Sequence, residues 1–389
     1  MNRIECPGLD GSNPLHFLAS LGVLRVFDRN GHSPKLCWQF REGHWQPLIL
    51  FDALVNDPPA ILASSLEELA KVNTSTEKNF AGPTQKEIKT LEDKLNSVKK
   101  HLREEGKTKG LKGSQLDAYI SVDPEGSELL TKLLSLRNEK EAALSSAANQ
   151  MGIGIAHLGD KVGSPAKSVR AKFDEALQSW TAGPHNLLHT RSSRFIVDHL
   201  ASLCSDAVER DGMVIPTPYS YSNGQGGQFL LKNFRDCAQS AAATEVMRKW
   251  LLGESVPLFD VTSLNWDPQD RNDYALTWAN PGNSQNKKQI DAVTNALAFI
   301  GLGLLTVVPK AIKGLSAICW DYSETKGFLW PIWSDPLSVD AIQGLLFQTS
   351  RNKIEELRSR GVESVFFSEK LDIGEPPMTR FYFAPSRSL

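Results

Sequence analysis

The chain has 389 residues, 41% of them hydrophobic, and its 43 Lys and Arg against 45 Asp and Glu leave a formal charge of −2. That length predicts two or three domains, and the charge excludes a global field drawing the protein onto a polyanion, so any nucleic-acid contact must be a local patch. The longest apolar run, Ala296 to Val308, is only thirteen residues, too short to cross a hydrocarbon core of about 30 Å.

In chain order, the first predicted element is a helix that Asn13 caps and Pro14 opens, with Leu15, Leu18, Leu21 and Leu24 marking one stripe to bury. Gly31-His-Ser-Pro34 breaks it. Leu36, Trp38 and Phe40 then alternate with Cys37, Gln39 and Arg41 as in a half-buried strand, and Pro47 to Phe51 can pair with it across Glu42-Gly43. Residues 1–60 therefore read as a helix plus hairpin.

Within 61–150 the composition shifts from about Pro83 to dense Lys and Glu. Ile88, Leu91, Leu95, Val98 and Leu102 make a heptad stripe that Gly106 to Gly113 ends, and leucines over Ser127 to Ala147 carry a second helix. An inserted antiparallel helical hairpin is expected. Residues 151–250 read as mainly helical and locally basic. One helix runs from Ser164-Pro165 to about Thr181 to Pro184, helices continue through Arg194 to Glu209, and the Gly-rich loop Thr217 to Gln228 enters another near Phe229. The last region, 251–389, mixes helices at Lys288 to Ile300, Ser338 to Leu346 and Lys353 to Arg360 with strands at Leu315 to Trp320, Gly327 to Trp333, Val362 to Phe367 and Thr379 to Phe383. The predicted fold class is α+β, mixed helices with short antiparallel sheets.

Cys6, Cys37, Cys204, Cys237 and Cys319 are scattered and odd in number, which argues against a disulfide framework or a zinc ribbon and predicts buried free thiols. Arg3, Glu5 and Pro7 are followed by no apolar signal core, so a cytoplasmic location is expected. His185 and His189 stand one helical turn apart, but Asn186 occupies the place of a zinc protease's Glu, and Arg191, Arg194 and His199 nearby favour a basic helix face. Asp267, Asp270 and Asp273 could form a metal or acid/base cluster, although Pro268 lets Asp267 serve a turn instead. No nucleophile elbow and no complete catalytic constellation is found, and no catalytic residue, metal or cofactor is assigned.

The run Asn223-Gly-Gln-Gly-Gly-Gln228 before a helix has the parts of an anion site, namely approachable backbone N–H groups and a helix N-terminus. It lacks the Lys-Ser/Thr of a nucleotide-binding P-loop. Contact with a nucleic-acid backbone fits better, because Lys232 and Arg235 follow and Tyr219 and Tyr221 offer stacking faces. Arg191 and Arg194 close the segment 161–194, which holds six Lys and Arg against two acids; the nine against five over 84–113 read as a solvated helix face. The candidate nucleic-acid-binding residues are Arg191, Arg194, Tyr219, Tyr221, Asn223, Gln225, Lys232 and Arg235. Trp266, Trp278, Trp320, Trp330 and Trp333 read as core or interface packing.

Three phrases stand out: Gly8-Leu-Asp-Gly-Ser-Asn-Pro-Leu-His-Phe-Leu-Ala-Ser-Leu-Gly22, Trp266-Asp-Pro-Gln-Asp-Arg-Asn-Asp-Tyr-Ala275 and Phe328-Leu-Trp-Pro-Ile-Trp-Ser-Asp-Pro-Leu337. Together they resemble CRISPR-associated proteins of subtype I-G (formerly I-U), in particular the large-subunit-like component of the surveillance complex. The resemblance covers mainly residues 3–50, 190–235 and 255–350 and leaves 70–150 aside. It implies a non-catalytic subunit that holds guide RNA or target DNA and contacts neighbouring subunits, while a separate helicase-nuclease cuts and base pairing reads sequence. Two rivals remain: a structural subunit docking through its 84–150 hairpin without nucleic acid, and a nucleotide-dependent enzyme joining the 223–228 loop to the 267–273 acids in a deep pocket.

Overall fold

A computed structural model of the chain describes residues 2–70, 85–109, 187–210, 212–221, 230–271, 289–310, 314–373 and 380–389, with scattered residues between 123 and 181. The chain divides into two compact units, Met1–Lys71 with Met151–Leu389, and Val72–Gln150. Three of the regions distinguished by sequence, 1–60, 151–250 and 251–389, thus fall in one unit. Among the described residues no helix is long and apolar enough to cross a membrane.

In the larger unit, β1 (Arg3–Glu5) leads to α1 (Pro14–Arg29), whose start follows from three residues. Asn13 is extended, its side-chain oxygen accepts from the N–H groups of Leu15 at 2.9 Å and His16 at 3.4 Å, and Pro14 needs no donor there. The expected single stripe is exceeded: Pro14, Leu15 and every residue from Phe17 to Phe27 are buried. Phe17, Val23, Val26 and Phe27 fill the faces between the leucines, so the helix is enclosed on all sides.

The hairpin forms as its alternation predicts. β2 (Lys35–Arg41) and β3 (His44–Leu50) pair with Leu36 opposite Ile49, Trp38 opposite Pro47 and Phe40 opposite Trp45, and Glu42 and Gly43 take φ of 51° and 89° in the turn. In α2 (Pro58–Ala70), Leu62, Leu66, Leu69 and Ala70 enter the same core, so residues 61–70, grouped by composition with the insertion, fold with the larger unit. In the smaller unit, α3 (Gln85–Thr108) runs through Gly106, where an end was expected, and buries Leu95 and Leu102. The second predicted helix, 127–147, lies mostly outside the described residues.

A helix was expected through Glu209, but α4 (Leu187–Leu203) gives way to β4 (Cys204–Arg210), which pairs with β5 (Met213–Pro216). The Asp211-Gly212 dipeptide is a hairpin signal, and Gly212 takes the φ of 75° that such turns need. Next come α5 (Leu230–Ala241), α6 (Thr244–Leu251) and α7 (Ala292–Leu302). α7 begins four residues later than expected, because Asp291 caps it by accepting from Thr294 N at 3.1 Å.

β6 (Val307–Pro309) pairs with β7 (Leu315–Ala317). The strand expected at Leu315 to Trp320 is broken at Cys319, with φ of 62°, and β8 (Trp320–Asp321) turns to pair with β9 (Gly327–Trp333). Beyond lie β10 (Leu337–Ser338), α8 (Val339–Gln348), α9 (Ile354–Ser359), β11 (Val362–Ile373), β12 (Arg380–Phe383) and β13 (Arg387–Ser388). The sheets run β1-β3-β2-β10 and β12-β11-β9-β8, with β13 on β11, and every pairing is antiparallel. The class is α+β.

α1 and α7 form the centre of this unit and run in parallel. Their contacts advance in step, Gly22 against Leu297 and Arg25 against the Ile300 carbonyl, 275 residues apart. His16 and Asp291 keep the same offset, the carboxylate acting on the imidazole. A Cβ on Gly22 would collide with the Leu297 carbonyl, and one on Gly301 with that of Leu18, so the backbones touch where they cross.

Candidate nucleic-acid interface

α4 brings Arg191 and Arg194 together, but into company that the sequence did not disclose. Arg191 places Nε 3.5 Å from Asp28 Oδ1 and donates to Ser33 Oγ at 2.7 Å. Arg194 pairs with Asp340, donates to Gln343 Oε1 at 2.7 Å, and lies 3.7 Å from Asp198 Oδ2. Behind them the buried Arg25 guanidinium donates to the Ile300 carbonyl at 2.6 Å and the Phe195 carbonyl at 3.2 Å, lies 2.9 Å from His199 Nδ1, and is 3.6 Å from Asp198 Oδ2. Three guanidinium groups thus interleave with three carboxylates, Asp28, Asp198 and Asp340. The positive field expected around Arg191 and Arg194 is locally cancelled, and the side chains are only 17% and 31% exposed.

Burial sets the ionisation of this network. It pushes Arg25 down to about 10, against the pull of Asp198, so the group stays a cation at neutral pH. It pushes the Asp198 and Asp28 carboxyls up, with nearby arginines opposing the shift. His199 is driven well below the usual imidazole range, first by burial and then by Arg25, and is neutral. Arg25 was missed from sequence, and His199, expected on a basic helix face, is buried instead. The available signal was that Arg25 is the sole Lys, Arg, Asp or Glu between Pro14 and Phe27.

The stacking role expected for Tyr219 and Tyr221 is corrected: both rings are in the core. Tyr219 donates its hydroxyl to the Ile318 carbonyl at 2.7 Å and stands edge-on to Trp320 and Phe328, while Tyr221 packs 4.8 Å from Phe383. Trp266 Nε1 donates to the Tyr219 carbonyl at 2.9 Å and fixes the segment inward. A base cannot reach either face. Asn223 and Gln225 lie outside the described residues. Lys232 and Arg235 stand on α5; Lys232 is exposed and pairs with Asp236 one turn on, and Arg235 is half-buried.

Of the acid cluster, Asp267 serves a turn, as its Pro neighbour implied: Oδ1 accepts from Gln269 N at 2.9 Å and from Asn13 Nδ2 at 3.2 Å. The Asp270 side chain, Asp273, Trp278 and His185 are outside the described residues. Among the described residues no group of three His, Cys, Asp or Glu could hold a metal ion. All five cysteines are buried and free, and burial pushes Cys6 up to about 12, which makes its thiol inert.

The Asp267 to Asn13 bond also joins two of the three distinctive phrases, and Trp330 Nε1 joins the third by donating to the Gly11 carbonyl at 2.7 Å. Asp10 completes the junction by accepting from Ser12 N at 2.9 Å and Trp45 N at 3.2 Å. Its own N–H donates to His16 Nδ1 at 3.1 Å, which fixes the His16 proton on Nε2. Burial pushes His16 below the usual imidazole range, against the pull of Asp267, Asp291 and Asp10. No protein-family model matches the chain, and no curated protein matches it. The junction therefore has to be understood from its own geometry, in which every carboxylate is committed to a cap or a turn: Asp291 to Thr294, Asp267 to Gln269, Asp10 to Ser12.

Proposed function

We propose that the chain is a non-catalytic, cytoplasmic subunit of a CRISPR type I (subtype I-G) surveillance complex that contacts guide RNA or target DNA and neighbouring subunits. The observation that carries this proposal is the junction just described. The first of the three phrases on which the resemblance rests meets the other two across 254 and 319 residues of chain, and Asn13, Asp267, Gly11 and Trp330 bind them into one packed centre. Likeness distributed over one physical core favours a shared architecture over a chance match of short strings. The carboxylates at that centre cap helices and turns, which supports a binding role over a chemical one.

Nucleic-acid contact is assigned to α5, where Lys232 is exposed although paired with Asp236, rather than to Arg191 and Arg194, which are less exposed and enclosed by carboxylates. The test is a salt titration of nucleic-acid affinity on the chain alone and in complex with the other subunits and guide RNA. Affinity should fall steeply with salt, and Lys232→Glu should make the log–log slope shallower by about 1. Equal slopes remove Lys232 from the interface. Assembly with neighbouring subunits but no binding in either state would leave a purely structural subunit, a reading that the buried tyrosines and neutralised arginines also favour.

A further inference from the structure

The Arg25–His199 contact plays no part in that reading and has a consequence of its own. His199 faces the Arg25 guanidinium with Nδ1 at 2.9 Å and Nε2 at 3.3 Å. Neutral imidazole can accept from Arg25 through one nitrogen while the other donates to a backbone carbonyl, that of Phe195, 3.1 Å from Nδ1, or that of Phe299. Imidazolium cannot. Both its nitrogens carry protons, so it has no lone pair for Arg25 and sets a second cation against the first in the interior.

α4 depends on this contact more than its neighbours do. Among its described side chains, the buried apolar ones are Phe195, Leu200 and Leu203, and as many buried ones are polar, Ser193, His199 and Ser202. By contrast every residue of α7 is buried. Besides this contact, α4 is tied by Asp198 to the same Arg25 and, through partly exposed pairs, by Arg191 to Asp28 and Arg194 to Asp340. We infer that α4 is an acid-sensitive latch, seated on α1 and α7 only while His199 is neutral, so that protonation of this imidazole unseats the helix ahead of the remaining core.

The charged groups around the ring are Arg25, Arg29 and Asp28 from α1, Arg191, Arg194 and Asp198 from α4 itself, and Asp340 from α8. α7 offers the Phe299 and Ile300 carbonyls, and the buried side chains of β4 and β6 are Cys204, Ser205, Val208 and Val307. Because the folded form lowers the affinity of His199 for a proton, its contribution is fully present above the ordinary imidazole range and is lost as pH falls through and below it. Asp28 and Asp198, raised by burial, act with the opposite sign but closer to the carboxylate range. Among the charged groups around α4, the interval from about pH 7.5 to about 5.5 therefore belongs to His199; His16, also lowered by burial, acts with the same sign but at the opposite end of the α1–α7 pair.

The test is amide hydrogen exchange on the full chain at those two values, corrected for intrinsic rates. Protection of α4 should drop by up to about tenfold at the lower pH while that of α1 and α7 holds. His199→Gln keeps an acceptor for Arg25 at both values and should abolish the drop. If that variant does not fold, the His199 ring signal of the wild type in NMR decides, remaining neutral where exposed histidines are half protonated. Unchanged α4 protection, an equal loss in His199→Gln, a simultaneous loss in α7, or ordinary titration of His199 would overturn the latch.

Discussion

At the N-terminal end of the α1–α7 pair, Asn13 and Asp291 accept from the first N–H groups of their own helices, and Asp10 and Asp267 lie beside His16. At the other end a single buried cation, Arg25, takes the Ile300 carbonyl of α7 together with the Phe195 carbonyl of α4. The caps and the Arg25 bond to Ile300 satisfy groups at helix ends, and each end places charge of the sign the helix dipole favours, while the Phe195 carbonyl lies in mid-helix. The two ends differ in reach. The caps themselves act within three positions, although Asn13 also donates to Asp267, 254 residues away, whereas all of the Arg25 carbonyl partners lie far off, 170 and 275 residues away. The first end is anchored by several separate contacts, local caps among them, the second by one residue on which three helices depend.

Substitutions rank that contrast. The largest effect should come from the crossing between the ends: Gly301→Val or Gly22→Ala pushes backbone against backbone with no flexible side chain to yield. Either should cost about 3 kcal/mol or more in denaturant unfolding; a loss below about 1 kcal/mol would mean that the helices can separate and would detach the two ends from each other. Arg25→Met should follow at about 3 kcal/mol, since it removes the donor that faces His199 and a charge partner of the largely buried Asp198. Were it neutral, the C-terminal end would need no cation and the comparison would fail. Asn13→Ala and Asp291→Ala should each lower stability by about 1 kcal/mol, as single caps do. If one of them cost as much as Arg25→Met, its end would not be anchored by separate contacts. Deleting 72–150 with a short linker should change least, leaving the cooperative transition of the larger unit within about 0.5 kcal/mol, because α1, α7 and both of their ends lie in that unit.

The same division of reach explains what could be read from the sequence. The start of α1 and the β2–β3 hairpin were legible because Asn13-Pro14 and Glu42-Gly43 act on their immediate neighbours. The Asp267 turn was legible for the same reason. The burial of α1 on every side, the interior position of Tyr219 and Tyr221, and the pairing of Arg191 and Arg194 with Asp28 and Asp340 were not, since each depends on residues distant in the chain. A run of aromatic and basic residues has the composition of a binding surface whether its rings and charges face outward or have already met partners inside. Lys232, with Asp236 one turn away as its partner, is the candidate whose setting could be seen locally.

The fit of α1 against α7 also bears on how the chain is made. α1 is complete once Arg29 has been synthesised, but α7 ends at Leu302. At ribosomal rates of about 5 to 20 residues per second, roughly 15 to 55 s separate the two events. Throughout that interval a helix with no polar face to turn toward water waits for the surface that will cover it. A nascent chain halted before α7 should therefore be bound by holding chaperones or aggregate, and release should come only after the residues around Gly301 emerge.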